Sequence, residues 1–141
     1  MTRQASIYVA VAAADLSIAD VILAHLQHYN YHCVDCMDVP HLLDSATDLY
    51  GTMSECDVIV LVDSFAFRQK KPNYELQFAQ ELAKPLIVIS LNQKIDESQS
   101  TWHVRLFDFT NPRHRDWKQV LNTIVILAKE ATHNPDDDFL F

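Results

Sequence analysis

Residues 57–91 read DVIVLVDSFAFRQKKPNYELQFAQELAKPLIVISL. Two apolar, β-branched runs, at 57–62 and 86–91, bracket a polar loop and an amphipathic segment. Unbroken apolar runs of this length fit strands buried on both faces, as in a parallel sheet. Between them, residues 73–83 carry helical spacing, and Lys84-Pro85 ends the helix, because a proline biases the residue before it away from helix. A strand, a helix and a second strand at this spacing form a βαβ unit. Residues 64–72, with Arg68, Lys70 and Lys71, are expected to be loop.

The same alternation continues outward. Residues 6–11 (SIYVAV) read as a strand. Ser17 is expected to cap a helix, with Asp20 three residues on, and Ile18, Val21, Ile22, His25 and Tyr29 recur along it. Residues 31–35 read as a second strand and Asp38-Val39-Pro40 as a loop. Residues 41–55 are expected to be helical, with Leu42, Ala46, Leu49 and Met53 on one face. Beyond residue 91, the segment 92–101 is polar and irregular. Residues 104–109 alternate like an edge strand, Asn111-Pro112 turns the chain, and Trp117, Val120, Leu121, Ile124, Leu127 and Ala131 mark an amphipathic helix. The expected fold is α/β: a flavodoxin-like, doubly wound, five-stranded parallel sheet with helices on both faces. Such sheets bind ligands at the carboxyl ends of their strands, where strand order reverses. Residues 1–133 are expected to form one domain and 134–141 an acidic tail. The tail ends DDDFLF, either a frayed terminus or a short docking peptide.

Composition narrows the function classes. The chain has 141 residues, 49% hydrophobic and 21% charged, enough for one packed core. Its one glycine, Gly51, excludes a dinucleotide-binding fingerprint, a P-loop and a nucleophile elbow, each of which needs several. A formal charge of −8 disfavours nucleic acid as a partner. Three cysteines, an odd number, argue for a reducing, cytoplasmic setting. No apolar run approaches the roughly 20 residues that span a bilayer, so no membrane association is expected. Residues 3–14 superficially resemble a signal peptide, but they contain no leucine and include the first strand.

Glu75 is the most informative residue. It opens the helix 73–83 and shares a stripe with Phe78, Ala79 and Leu82, apart from Gln77, Gln80, Glu81 and Lys84. A carboxylate there tends to face the carboxyl edge of the sheet, and a helix N-terminus favours its anionic form. The plain alternative is a first-turn glutamate that complements the helix dipole and stays wet.

Residues 56–91 resemble the second half of a TIR (Toll/interleukin-1 receptor) domain: a buried strand, a loop, a helix opening Tyr74-Glu75-Leu76, then Lys84-Pro85 and another buried strand. Val34 to Pro40 resembles the strand and the start of that family's BB loop, and the element order matches from Ile7 to Ala131. The resemblance implies an enzyme of bacterial immune or anti-phage signalling that cleaves NAD at the nicotinamide–ribose bond, as hydrolase or as ADP-ribosyl cyclase, with Glu75 catalytic. A single carboxylate suffices there because nicotinamide leaves as a neutral molecule. Ala12, Asp38, His41, Arg68, Lys71 and Tyr74 are the implied substrate-binding residues. NAD would be substrate, with no cofactor and no metal. Self-association through residues 37–43 and a separate sensor or effector protein are also implied. Two alternatives stand. Lys71-Pro72, Gln69 and Ala12-Ala13-Ala14 depart from the family's enzymes, as a non-catalytic assembly module would. The glutamate at a helix start before Lys-Pro also resembles nucleoside 2-deoxyribosyltransferases.

Other candidates point to no chemistry. Cys33 and Cys36 lie three apart across a strand and its end, so they face opposite ways and suit neither a disulfide nor a shared metal. His25, His28 and His32 lack a fourth ligand at zinc spacing. Trp102 and Trp117 read as core or interface.

Overall fold

A computed structural model of the chain describes residues 4–29, 31–35, 46–69, 73–92 and 103–132. The strands are β1 (Ser6–Ala10), β2 (His32–Asp35), β3 (Val58–Asp63), β4 (Leu86–Ser90) and β5 (Val104–Asp108). The helices are α1 (Leu16–Leu26), α2 (Ala46–Glu55), α3 (Phe65–Arg68), α4 (Tyr74–Glu81) and α5 (Trp117–Thr132). The strands form one parallel sheet in the order β2-β1-β3-β4-β5. The chain steps outward from β1 to β2, then returns past β1 to β3 and continues the other way. Strand order therefore reverses between β1 and β3, and the flavodoxin-like, doubly wound fold expected from the sequence is the fold observed.

The period-2 alternation of the strands divides the core in two. Ile7, Val9, Val58, Val60, Val62, Ile87 and Ile89 pack with residues of α1 and α5, among them Ala19, Ile22, Val120 and Ile124. Tyr8, Ala10, Ile59, Leu61 and Leu86 pack on the other face with Leu49 and Met53 of α2, Phe67 of α3, and Phe78 and Ala79 of α4. Every residue of β3 is buried, as its unbroken apolar run requires. The mixed burial of β5 fits its place at the sheet edge. No helix among the described residues is long and apolar enough to cross a membrane.

Local chemistry moves several boundaries. The first helix starts at Leu16, behind a 3-10 turn at Ala13–Asp15, and Ser17 does not cap it. Its buried stripe is Ala19, Ile22 and Leu26, while Val21 is exposed. Two stripes of similar spacing run along this helix, and the one carrying small Ala19 lies against the sheet. Residues 64–72 are not all loop. Ser64 Oγ accepts the Phe67 amide at 3.1 Å and caps the single turn of α3, which buries Phe67. Asn73 then caps α4 by accepting the Leu76 amide at 3.1 Å, and its Nδ2 donates to the Phe67 carbonyl at 2.9 Å. Just past α4, Ala83 takes a left-handed conformation with φ 52°, the place where glycine usually ends a helix. The expected loop at 38–40 and helix start at 41–45, the basic pair at 70–71, Trp102 and the tail 134–141 lie outside the described residues.

Candidate functional site

The carboxyl ends of the strands carry the polar side chains. Strand register sets Asp63 of β3 beside Ser90 of β4, and Ser90 beside Asp108 of β5. Asp63 and Ser90 are both buried. Main-chain bonds fix this level: the Leu91 amide donates to the Asp63 carbonyl at 2.9 Å and the Phe109 amide to the Ser90 carbonyl at 2.8 Å.

The single turn of α3 brings Arg68 back over the end of β3. Its Nε donates to Asp63 Oδ1 at 2.7 Å and its Nη2 to Asp63 Oδ2 at 2.8 Å. This is a two-pronged, charge-assisted grip on the carboxylate. The Asp63 side chain is 11% exposed and that of Arg68 44%, so the pair sits at the boundary between core and solvent. The bond to Asp63 raises the pKa of Arg68 above its ordinary value. Beside the pair, Ser64 Oγ donates to Asp15 Oδ2 at 2.6 Å. Asp15 comes from the turn after β1, so this bond spans the point where strand order reverses. The Phe65 amide donates to Asn92 Oδ1 at 2.7 Å. The chain segments following β1, β3 and β4 are thereby tied together around Asp63.

Glu75 lies elsewhere. It is 2% exposed, and Tyr8 Oη of the central strand β1 donates to its Oε2 at 2.8 Å. The reading of a wet first-turn glutamate is therefore corrected: α4 presses this carboxylate into the α2–α4 side of the core. The depression on that side, about 240 Å³, is lined by Ala46, Thr47, Tyr50 and Phe78, not by Glu75. Of the other implied substrate-binding residues, Ala12 is buried, Arg68 is engaged by Asp63, and Tyr74 is part-exposed and stacked on Phe78. Asp38, His41 and Lys71 lie outside the described residues. None of Glu75, Ala12, Arg68 and Tyr74 lines the depression formed by Ala46, Thr47, Tyr50 and Phe78. Cys33 sits on β2, and burial pushes the Cys56 thiol up to about 11. No group of three or more His, Cys, Asp or Glu among the described residues could hold a metal ion.

The fold is shared with receiver domains of bacterial response regulators. A receiver domain protein from Bacillus halodurans superposes with a TM-score of 0.61 at 11% identity, covering 89% of this chain and 97% of that one. A response regulator receiver domain from Francisella gives 0.54 at 13% identity, covering 90% and 98%. No protein-family model and no curated protein matches the sequence.

These neighbours overturn the TIR resemblance and the NAD-cleaving enzyme it implied, and the self-association inferred from it is left without support. The error has a physical source. The order of strands, helices and turns in residues 7–131 is common to doubly wound sheets, so matching it could not separate one such family from another. The Tyr-Glu-Leu motif opens α4 as expected, but its glutamate bonds Tyr8 of β1 and so anchors α4 to the sheet.

Sequence spacing alone does not single out the residues of the carboxyl edge: Asp63 falls between the expected strand and loop, Ser64 in the loop and Ser90 inside a strand. The available signal was an aspartate closing the most apolar strand of the chain, followed five residues later by an arginine.

Proposed function

We propose that this chain is a receiver-like signalling domain that accepts a phosphoryl group on Asp63 and relays the change to a partner protein. The observation that carries the reading is the bidentate Arg68–Asp63 pair at the carboxyl end of β3. A carboxylate at that position lies beside the crevice where doubly wound sheets bind ligands. The likeness in fold to receiver domains supports the same assignment.

The chemistry is a simple transfer. One Asp63 oxygen attacks phosphorus, the bond from phosphorus to the donor's leaving group breaks, and that group departs with the electron pair. The product is an acyl phosphate. Attack requires one of the two oxygens to leave Arg68, so the arginine restrains the reaction in the resting protein. After transfer the guanidinium is placed to pair with the new phosphate oxygens, which match its planar fork. Such a rearrangement moves α3, and with it Ser64, Phe65 and Phe67. The bonds from Ser64 to Asp15 and from Phe65 to Asn92 carry that motion to neighbouring loops.

The test is intact-protein mass spectrometry after incubation with acetyl phosphate in magnesium buffer. The wild-type chain gains the mass of one phosphoryl group slowly, Arg68→Ala gains it faster, and Asp63→Asn does not gain it. Absence of the adduct from both wild type and Arg68→Ala would overturn the proposal.

A further inference from the structure

Asp15 stands at the N-cap position of α1, yet its side chain caps nothing there. An aspartate at such a place ordinarily stabilises its own helix by accepting an amide two or three residues on. This one reaches across the point of strand-order reversal instead and accepts the Ser64 hydroxyl at 2.6 Å. A distance this short marks a charge-assisted bond between a hydroxyl and a carboxylate.

Ser64 is where that bond takes effect. Its side chain is buried, and a hydroxyl has one proton to give and lone pairs with which to accept. With the proton committed to Asp15, a lone pair faces the Phe67 amide, which donates at 3.1 Å. The Ser64 carbonyl meanwhile accepts the Arg68 amide at 3.0 Å. One residue thus fixes the last two amides of α3, and from the second of them Arg68 reaches back to Asp63. Asn73 and Asn92 hold other points of the turn, the Phe67 carbonyl and the Phe65 amide, but neither orients the Ser64 hydroxyl. Without the Asp15 acceptor that proton is free to swing toward the Phe67 amide, and two donors facing each other repel.

We propose that Asp15 is a positioning residue for Asp63. By fixing the Ser64 hydroxyl it holds α3 in the turn from which Arg68 grips Asp63 with two bonds, and so sets how readily Asp63 reacts. Asp15 itself forms no bond to phosphorus. The inference rests on the reading of Asp63 as a phosphoacceptor and adds the device that restrains it.

Two measurements on the full chain separate the positioning from the transfer. The first follows exchange of the Arg68 Nε–H with water by heteronuclear NMR, with no phosphoryl donor present. The wild-type signal is protected, and Asp15→Ala speeds its exchange at least roughly tenfold. Asp15→Asn keeps an oxygen for Ser64 and retains most of the protection. Ile124→Val, which lowers stability from the α1–α5 face of the sheet, leaves the exchange unchanged. The second measurement is the rate of phosphoryl gain from acetyl phosphate by intact mass. Asp15→Ala gains the group faster than wild type. Asp15→Ala/Arg68→Ala is no faster than Arg68→Ala alone, because the grip can be released only once. A wild-type Nε–H already in fast exchange, or one equally protected in Asp15→Ala, would overturn the proposal. So would a double variant faster than Arg68→Ala by the whole factor that Asp15→Ala gives alone. Lost protection in Asp15→Ala, with no phosphoryl group gained by any of these proteins, would overturn the receiver reading while supporting the hold of Asp15 on Arg68.

Discussion

Replacing Tyr8 with phenylalanine removes one oxygen atom from the centre of the molecule. Tyr8 is fully buried, and its hydroxyl donates to a carboxylate that is 2% exposed. A hydrogen bond to a charged group contributes about 1.5–3 kcal/mol, and Tyr8→Phe forfeits that contribution. Unfolding entropy near 2.1 cal/mol/K per residue gives about 0.3 kcal/mol/K for a chain of 141 residues. The expected drop in Tm is therefore about 5–10 °C. Thermal unfolding by circular dichroism, with urea titration for the free energy, measures it. Glu75→Gln keeps an oxygen for Tyr8 to bond and should lose less. The double variant Tyr8→Phe/Glu75→Gln should lose less than the sum of the two, because one bond can be removed only once. A Tyr8→Phe protein within about 0.5 kcal/mol of wild type, or a strictly additive cycle, would refute the claim that Glu75 anchors α4 to β1.

Three further predictions test other parts of the structure. Ala83→Gly should stabilise the protein by about 1 kcal/mol, since Ala83 holds the left-handed φ of 52° that L side chains resist; urea titration reads this directly. Gly51→Ala should also stabilise by about 0.5–1 kcal/mol, because the added methyl meets open space and alanine is the better helix former, and a rise in Tm checks it. Cys56 makes stability depend on alkaline pH. Burial, chiefly, raises its pKa from 9.0 to about 11, so the folded state favours the neutral thiol. Its contribution is complete below pH 9.0 and falls as pH rises through about 11, a loss of roughly 2 kcal/mol. Cys56→Ala should flatten that part of the urea-measured stability profile.

Much of the fold was legible because strong periodic signals decided it. The apolar runs around Val60 and Ile87 could only be strands covered on both faces, and Pro85 and Pro112 punctuated the chain where elements do end. Boundaries failed where a single side chain made the choice. Ser64 caps one turn of helix inside a stretch whose lysines and proline read as loop. Asp15 accepts from Ser64, 49 residues away, instead of starting a helix cap with its neighbours. The site was less legible for the same reason. Asp63 and Arg68 become a pair only because Phe67 is pulled into the core and turns the chain between them. Nothing in the spacing of Glu75 revealed that Tyr8, 67 residues earlier, would meet it. A family resemblance built on the order of elements reported the sheet faithfully and the chemistry wrongly.

The most direct test of the account is to locate the phosphoryl group. After acetyl phosphate treatment, borohydride reduces an acyl phosphate to an alcohol and so converts a phosphorylated aspartate to homoserine. Peptide mass spectrometry then reads the position. The account predicts homoserine at residue 63, enriched in Arg68→Ala. Homoserine at another residue, with Asp63 intact in both proteins, would contradict it.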